Sequence, residues 1–165
     1  MRIGHGFDIH AFGPGSHVIL GGLKIPHTHS LIAHSDGDVV IHSIVDAIFG
    51  ALCLGDIGSH FPDTDSSNKD LNSRMFLRYA ADMMISNNYA LGNVDVTVIA
   101  ESPIVAPHIL AMRECLSTDL SANLEKINIK ATTAEKLGFI GRGEGIGCHS
   151  VVLLAPRQSS EQNSQ

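Results

Sequence analysis

Two side chains near the start of the sequence could bind one metal ion together. Residues 2–10 alternate as in a β-strand, so Asp8 and His10 project from the same face, about 7 Å apart along the chain. A carboxylate and an imidazole at this spacing can chelate a divalent ion, with bonds of about 2.0–2.2 Å for zinc. Gly4 and Gly6 share this face and are predicted to leave open space beside the two ligands.

His42 is the candidate third ligand. It lies on a helix predicted from Ser35 to about Gly55, in one stripe with Asp38 and Asp46 at intervals of four residues. A ligating histidine commonly donates its second nitrogen to a carboxylate, and either aspartate could accept it. One carboxylate and two imidazoles leave a fourth position for substrate, as in catalytic zinc sites. The spacing also fits a solvated helix face with a capping aspartate, so both interpretations stay open.

A second group of polar residues follows a predicted strand at 127–131. Thr132 and Thr133 would then begin a short helix at 134–137. Backbone N–H groups and threonine hydroxyls at a helix N-terminus form a natural seat for phosphate. Glu135 would either offset the helix dipole or hold a second hard cation such as Mg²⁺ or Mn²⁺ beside a diphosphate.

Three further segments carry groups that could contact a ligand. The glycine-rich run 141–145 offers one cation, Arg142, although it also fits a simple bend. The long polar stretch 55–70 could bind sugar hydroxyls or be a solvated loop. His34 and Ser35, just before the predicted metal-binding helix, could place a hydrogen-bond donor near a reacting group.

Length, amino-acid composition and net charge limit the classes of protein to which this chain can belong. The 165 residues fit one domain, predicted to span 1–156, with a polar tail at 157–165. Hydrophobic residues make up 44% and the net charge is −6, which favours a compact fold and argues against nucleic acid as a partner. No apolar run approaches the roughly 20 residues of a membrane helix, and no signal-peptide core is visible, so we expect a cytoplasmic protein without a membrane partner.

The order of predicted elements favours an α/β (α+β) domain, with a mixed sheet and helices packed on one face. The strands are predicted at 2–10, 18–20, 94–100, 127–131 and 146–154, and the longer helices at 35–55, 73–87 and 107–120. Several strands carry apolar residues on both faces, so one sheet face would be left without helices. In a domain of this size another copy of the chain could cover it, and we expect an oligomer.

Considered together, these segments resemble the 2-C-methyl-D-erythritol 2,4-cyclodiphosphate synthase family of the non-mevalonate isoprenoid pathway. The matching stretches are GHGFDIHAF (4–12), AHSDGDVVIHSIVDAIFGALCLGDIGSHFPDTD (33–65), LGNVDVTVIAE (91–101), PHI (107–109) and KATTAEKLGFIGRGEGI (130–146). The resemblance covers about residues 1–155, and only the tail falls outside it.

The resemblance implies a lyase that converts 4-diphosphocytidyl-2-C-methyl-D-erythritol 2-phosphate to the cyclic diphosphate and CMP. It implies a zinc-like ion on Asp8, His10 and His42, and a second ion, Mg²⁺ or Mn²⁺, held by Glu135. His34 and Thr133 match the positions that stabilise the transition state. The competing interpretations are a zinc hydrolase of a phosphorylated small molecule and a trimeric binding module with a structural metal.

The resemblance also implies a substrate-binding set with two sides. The methylerythritol phosphate side comprises Asp8, Ile9, His10, His34, Ser35, Asp56, Ile57, Gly58, Phe61, Pro62, Asp63, Thr64 and Asp65. The cytidine diphosphate side comprises Ala100, Glu101, Ser102, Pro103, Ile104, Val105, Ala106, Ala131, Thr132, Thr133, Ala134, Glu135, Phe139 and Arg142. Relatives often carry a lysine after the Ser-Pro pair where this chain has Ile104, so residues 100–106 are expected to act through their backbone.

The family resemblance further implies a homotrimer with active sites between subunits. Ile3, His5, Phe7 and Ile99 would face the threefold axis. Arg142 and Glu144 could close a central cavity, where the family can hold an isoprenoid diphosphate. His149 occupies a position that is acidic in some relatives.

Overall fold

The computed structural model describes residues 1–62, 64 and 71–157. Its strands are β1 (Arg2–Pro14), β2 (His17–Leu20), β3 (Leu23–Pro26), β4 (His29–Leu31), β5 (Tyr89–Ile99), β6 (Ile127–Thr132) and β7 (Gly145–Pro156). Its helices are α1 (Val39–Leu52), α2 (Ile57–His60), α3 (Arg74–Ser86), α4 (Ile109–Asp119) and α5 (Gly138–Gly141), with 3₁₀ turns at Ala106–His108 and Leu124–Lys126. No helix in these ranges is long and apolar enough to cross a membrane.

Five strands form one mixed sheet in the order β4-β1-β7-β5-β6, and β2 pairs with β3. Neighbours in the large sheet are antiparallel except β5 and β6, which run parallel. Side chains alternate between a buried face, covered by α1 and its neighbouring helices, and an opposite, more open face, which the single turn α5 contacts through Ile140 near Gly147. The predicted fold class, a mixed sheet with helices on one side, is therefore confirmed.

Helix α1 is the centre of the core, and Asp38 fixes its N-terminus. The Asp38 carboxylate accepts hydrogen bonds from the backbone N–H groups of Val40 and Ile41, each at 3.1 Å. It also accepts bonds from Gly21 at 2.9 Å and Gly22 at 2.6 Å, in the turn between β2 and β3. One buried carboxylate thus caps the helix and ties it to the small hairpin.

Gly4 and Gly6 allow α1 to lie directly on β1. A Cβ atom on Gly4 would lie 1.8 Å from the backbone oxygen of Ala47, and one on Gly6 would lie 1.9 Å from that of Ser43. The expectation that these glycines leave open space beside the metal ligands is therefore wrong, because the helix backbone fills that space. Any side chain here would push α1 off the sheet.

The short helix expected at 134–137 is also absent. Residues Glu135 and Lys136 adopt left-handed backbone angles, with φ of 50° and 65°, which end any right-handed helix. The chain instead turns around the Glu101 carboxylate, which accepts the N–H of Ala134 at 3.1 Å and that of Lys136 at 3.2 Å. The only helix nearby in the described chain is the single turn α5, which begins after this turn.

The face of the sheet opposite α1 carries exposed apolar side chains. Ile3 is 72% exposed and Phe7 is 47% exposed on β1, and Val151 on β7 is 44% exposed. These residues alternate in sequence with residues that face α1. The face opposite α1 is thus apolar in its β1–β7 part, as the sequence predicted.

We predict that Gly6→Ala lowers the free energy of unfolding by about 3 kcal/mol, because the added methyl group overlaps the α1 backbone. The matched control is Gly50→Ala, since a Cβ there meets nothing within 4 Å. Removing a glycine from a helix should raise stability by about 0.5–1 kcal/mol. Denaturant unfolding measures both, and equal stabilities for the two variants would contradict the close packing.

Candidate active site

Asp8, His10 and His42 converge on one point at the edge of the core. Asp8 Oδ2 lies 3.0 Å from both His10 Nε2 and His42 Nδ1. The two imidazole nitrogens lie 3.2 Å apart. In the described part of the chain, this is the one group of three or more such side chains whose ligand atoms lie close enough to hold a metal ion. The predicted ligand set is therefore assembled in space.

The second nitrogen of each histidine has a partner that fixes the tautomer. His10 Nδ1 donates to the carbonyl oxygen of Ile32 at 2.9 Å, which leaves Nε2 facing the group. Ser73 Oγ donates to the Asp36 carboxylate and accepts from His42 Nε2 at 2.8 Å. His42 therefore presents Nδ1 to the group with its lone pair available.

The tautomers of His10 and His42 indicate whether a metal ion fits between these two rings and Asp8. Two imidazole lone pairs and a carboxylate oxygen would face one another at 3.0–3.2 Å, which is repulsive without a proton or cation between them. One carboxylate oxygen and two imidazole nitrogens are also a common donor set for zinc. The residues thus fit a divalent ion in chemistry and in arrangement.

The structure corrects the expected partners of His42. Asp38 is used as the cap of α1, and Asp46 accepts the backbone N–H of Ile57 at 2.8 Å. The contact to His42 Nε2 is made by Ser73, with Ser35 Oγ at 3.1 Å. Stripes on a helix show which residues share a face, but they do not reveal which residues of other elements contact it.

Contacts within this group shift the pKa values of Asp8 and His10. Burial by itself raises the pKa of the Asp8 carboxyl, but hydrogen bonds with His10 and His42 outweigh it and hold the pKa below its usual range. Burial alone lowers the pKa of His10, whereas contact with Asp8 raises it, and the net pKa lies above the ordinary value. Because a nitrogen that ligates a metal must be deprotonated, binding of a metal ion would compete with protonation of His10.

A cavity of about 560 Å³ opens beside the three ligands. Its lining includes residues predicted from the sequence, namely Asp8, His10, His34, Ser35, His42, Ile57, Gly58 and Phe61. Sequence reasoning missed Ile32, Ala33 and Phe76, which complete the wall together with Asp46, considered from the sequence only as a partner of His42. Phe76 could have been found as an apolar residue on the predicted second helix, but nothing in the sequence pairs it with Phe61, whose ring centre lies 4.5 Å away.

The other described residues predicted for the methylerythritol phosphate side lie at the rim of the cavity or away from it. The Ile9 side chain points to the sheet face opposite α1, so only its backbone adjoins the site. The Asp56 carboxylate caps α2 by accepting the N–H of Ser59 at 2.8 Å. Pro62 and Thr64 follow α2, and Thr64 is exposed. Two predicted substrate-binding residues, Asp63 and Asp65, lie outside the described residues.

The residues predicted for the cytidine diphosphate side gather around Glu101. Its carboxylate holds the 133–136 turn and lies 2.5 Å from Lys136 Nζ. Thr133 Oγ1 donates to the Glu135 carboxylate at 2.6 Å. The other expected members are Ala100, Ser102, Pro103, Ile104, Val105, Ala106, Ala131, Thr132 and Ala134, at the ends of β5 and β6.

The two groups are separate within one chain. Thr133 follows β6, three strands from β1, and adjacent strands lie about 4.8 Å apart, so about 14 Å separates the strands. Thr133 and Glu135 do not line the cavity beside the metal ligands. Phe139 is exposed on α5, and Arg142 is paired with Glu144 at 2.6 Å.

Fold and site together define a single-domain α/β protein with a carboxylate–bis-imidazole centre that opens into a cavity. The YgbB family matches residues 1–155. The 2-C-methyl-D-erythritol 2,4-cyclodiphosphate synthase of Shewanella loihica is 57% identical over 95% of this chain and 99% of its own length. The synthase of Ectopseudomonas mendocina is 55% identical over 93% of this chain and 98% of its own.

Solved structures of related proteins are also similar to this chain in sequence and in fold. IspF of Plasmodium falciparum, in a complex with CDP, is 41% identical with a TM-score of 0.85, covering 95% of this chain and 97% of that one. The bifunctional IspDF of Campylobacter jejuni is 45% identical with a TM-score of 0.90. That match covers 94% of this chain and 42% of the longer protein. The chain belongs to the YgbB family.

We predict that Ser73→Ala weakens zinc binding by about 10- to 100-fold, because His42 Nε2 loses the closer of its two hydroxyl partners and keeps only Ser35 Oγ at 3.1 Å. Competition with a chromophoric chelator measures the dissociation constant. Ser86→Ala is the matched control, since within the described residues that hydroxyl bonds only the backbone oxygen of Asp82 on the same helix, at 2.8 Å. Equal zinc affinities for both variants would rule out the role of Ser73.

Proposed function

We propose that this chain is a 2-C-methyl-D-erythritol 2,4-cyclodiphosphate synthase, a phosphorus–oxygen lyase of the non-mevalonate isoprenoid pathway. The substrate would be 4-diphosphocytidyl-2-C-methyl-D-erythritol 2-phosphate. An oxygen of its 2-phosphate attacks the β-phosphorus of the diphosphate, and the bond from that phosphorus to the bridging oxygen breaks. The products are the cyclic diphosphate and CMP. Family membership supports this function, and the observation that carries it is the convergence of Asp8, His10 and His42 on a cavity lined by His34 and Ser35.

This reaction does not require the protein to form a covalent bond with the substrate. Phosphoryl transfer within one molecule requires in-line positioning and neutralisation of charge, and no nucleophilic side chain is needed. A divalent ion, proposed to be zinc, would supply positive charge to the phosphate when held by Asp8, His10 and His42. The walls of the cavity would orient the methylerythritol part of the substrate, with His34 and Ser35 as hydrogen-bonding groups and Phe61 as an apolar one.

The second group would bind the cytidine diphosphate. Residues 100–106 would contact the base through their backbone, since Ile104 offers no charged side chain there. Thr133 would stabilise the transferring phosphoryl group, and Glu135 would hold Mg²⁺ or Mn²⁺ beside the diphosphate. Phe139 and Arg142 are proposed as further contacts. The CDP bound to the Plasmodium falciparum relative supports a cytidine diphosphate ligand in this family.

A homotrimer would bring the two groups together. One chain leaves Thr133 and the metal ligands about three strands apart, and it leaves an apolar sheet face uncovered. A neighbouring copy that covers this face could supply the cytidine side of each site. An isoprenoid diphosphate near Arg142 and Glu144 stays a prediction, as does the cytoplasmic location.

The direct test is incubation of the purified protein with the cytidyl substrate and divalent metal. We expect CMP and the cyclic diphosphate in equal amounts, identified by ³¹P NMR. A linear methylerythritol product would instead identify the protein as a metal-dependent hydrolase. Absence of turnover by an assembled, zinc-loaded protein would favour a binding module with a structural metal.

We predict that His42→Ala reduces turnover to background while the oligomer stays assembled, because the ligand acts at the site and not at a subunit contact. Steady-state assays and analytical ultracentrifugation measure the two properties. Loss of assembly in this variant would show that the metal has a structural role.

We predict that Thr133→Ala lowers kcat by about 100-fold while zinc content is unchanged, since Thr133 is not one of the three side chains proposed to hold zinc. Thr118→Ala is the control, because in the part of the chain that the structure describes its hydroxyl bonds only the backbone oxygen of Glu114 within α4, at 3.0 Å. Unchanged kcat in the Thr133 variant would refute its proposed role.

A further inference from the structure

Two histidines form a pair on the sheet face opposite α1. His5 on β1 and His149 on β7 place Nε2 and Nδ1 at 3.1 Å from each other, with ring centres 5.3 Å apart. Within the described residues, these two rings make no other side-chain hydrogen bond. Neither ring has a part in the proposed reaction, and the sheet separates both of them from Asp8, His10 and His42.

The separation of the two nitrogens matches that of two ligands on one metal ion. Nitrogen atoms about 2.0–2.1 Å from a shared ion, with an angle near 95° between the bonds, lie about 3.1 Å apart. The distance between the two nitrogens therefore already suits chelation of one ion. The alternative is a hydrogen bond between a donor nitrogen of one ring and an acceptor nitrogen of the other, which uses the same two atoms.

We propose that His5 and His149 form a second metal site, which binds a transition-metal dication through two imidazole nitrogens. Imidazole suits Zn²⁺, Ni²⁺ and Cu²⁺, whereas Mg²⁺ and Ca²⁺ prefer oxygen ligands. The site is therefore distinct in chemistry from the oxygen-rich one proposed at Glu135. It goes beyond the proposed function, because it serves neither the substrate nor the reaction.

The surrounding residues hold the pair in place and keep it free of carboxylates. The Phe7 ring lies against His149, with ring centres 4.5 Å apart, on the strand position directly opposite. Asp95 lies on the same face of β5, but it is engaged by Lys130 Nζ at 2.5 Å and by Asn128 Nδ2 at 2.8 Å. Two antiparallel strands fix the backbone positions of both histidines, which lowers the ordering cost of binding.

The His5–His149 pair lies within the exposed apolar face that we propose to be covered by other copies of this chain. Pairs from neighbouring copies would then approach one another and complete the coordination of a shared ion. The expected capacity is about one ion per chain, or about one-third of an ion per chain if three copies share it.

The test is equilibrium dialysis of the metal-free protein against Zn²⁺ at pH 7.5. We expect the wild type to bind more than the ion held by Asp8, His10 and His42. Both His149→Gln and His5→Gln should lose this additional capacity and retain the first site. His108→Gln is the matched control, because His108 lies on the Ala106–His108 turn and not on this sheet face.

Equal zinc capacity in the wild type and both pair variants would overturn the proposal. A second measurement does not depend on any variant folding correctly. Wild-type crystals soaked in Zn²⁺ should show anomalous density between His5 Nε2 and His149 Nδ1. Density confined to the group formed by Asp8, His10 and His42 would also overturn the proposal.

Discussion

The close approach of helix α1 to strand β1 is the constraint on which the rest of the structure depends. Two residues of strand advance by about 6.8 Å and four residues of helix by about 6.0 Å, so contacts between them repeat in near register. Gly4 meets Ala47 and Gly6 meets Ser43 in this way. His42, which precedes Ser43, therefore lies beside Asp8, the next residue along the same strand face. Backbone packing thus determines the distance between the ligands.

A chain of hydrogen bonds then prepares these ligands for a cation. Ser73, at the start of α3, joins Asp36 to His42, while the carbonyl oxygen of Ile32 orients His10. Both contacts come from outside β1 and α1. The packing of α3 on α1 therefore has a chemical role as well as a structural one, because it determines which nitrogen of His42 would face a metal ion held by the group.

The two faces of the sheet have different roles. The face toward α1 carries the candidate metal ligands and the cavity. The opposite face carries apolar residues and the His5–His149 pair, and the proposed assembly would bury it. Because strand residues alternate, β1 contributes Asp8 and His10 to one face and His5 and Phe7 to the other. A single strand thus serves both the proposed reaction and the proposed contact between copies.

The sequence by itself predicted most of the periodic elements, the fold class and the three side chains that the fold brings together as candidate metal ligands. Alternation in β1 and the apolar stripe of α1 are local patterns, and local patterns can be recognised in a sequence before the fold is known. The tertiary structure alone decided what each polar group contacts. Glu101 reaches across from β5 to hold the 133–136 turn, so residues with helical propensity form no helix there. Likewise, Ser73 and not Asp38 or Asp46 accepts the proton of His42, because that contact joins residues 31 positions apart. Such contacts are set by packing in three dimensions, which spacing along the chain does not encode.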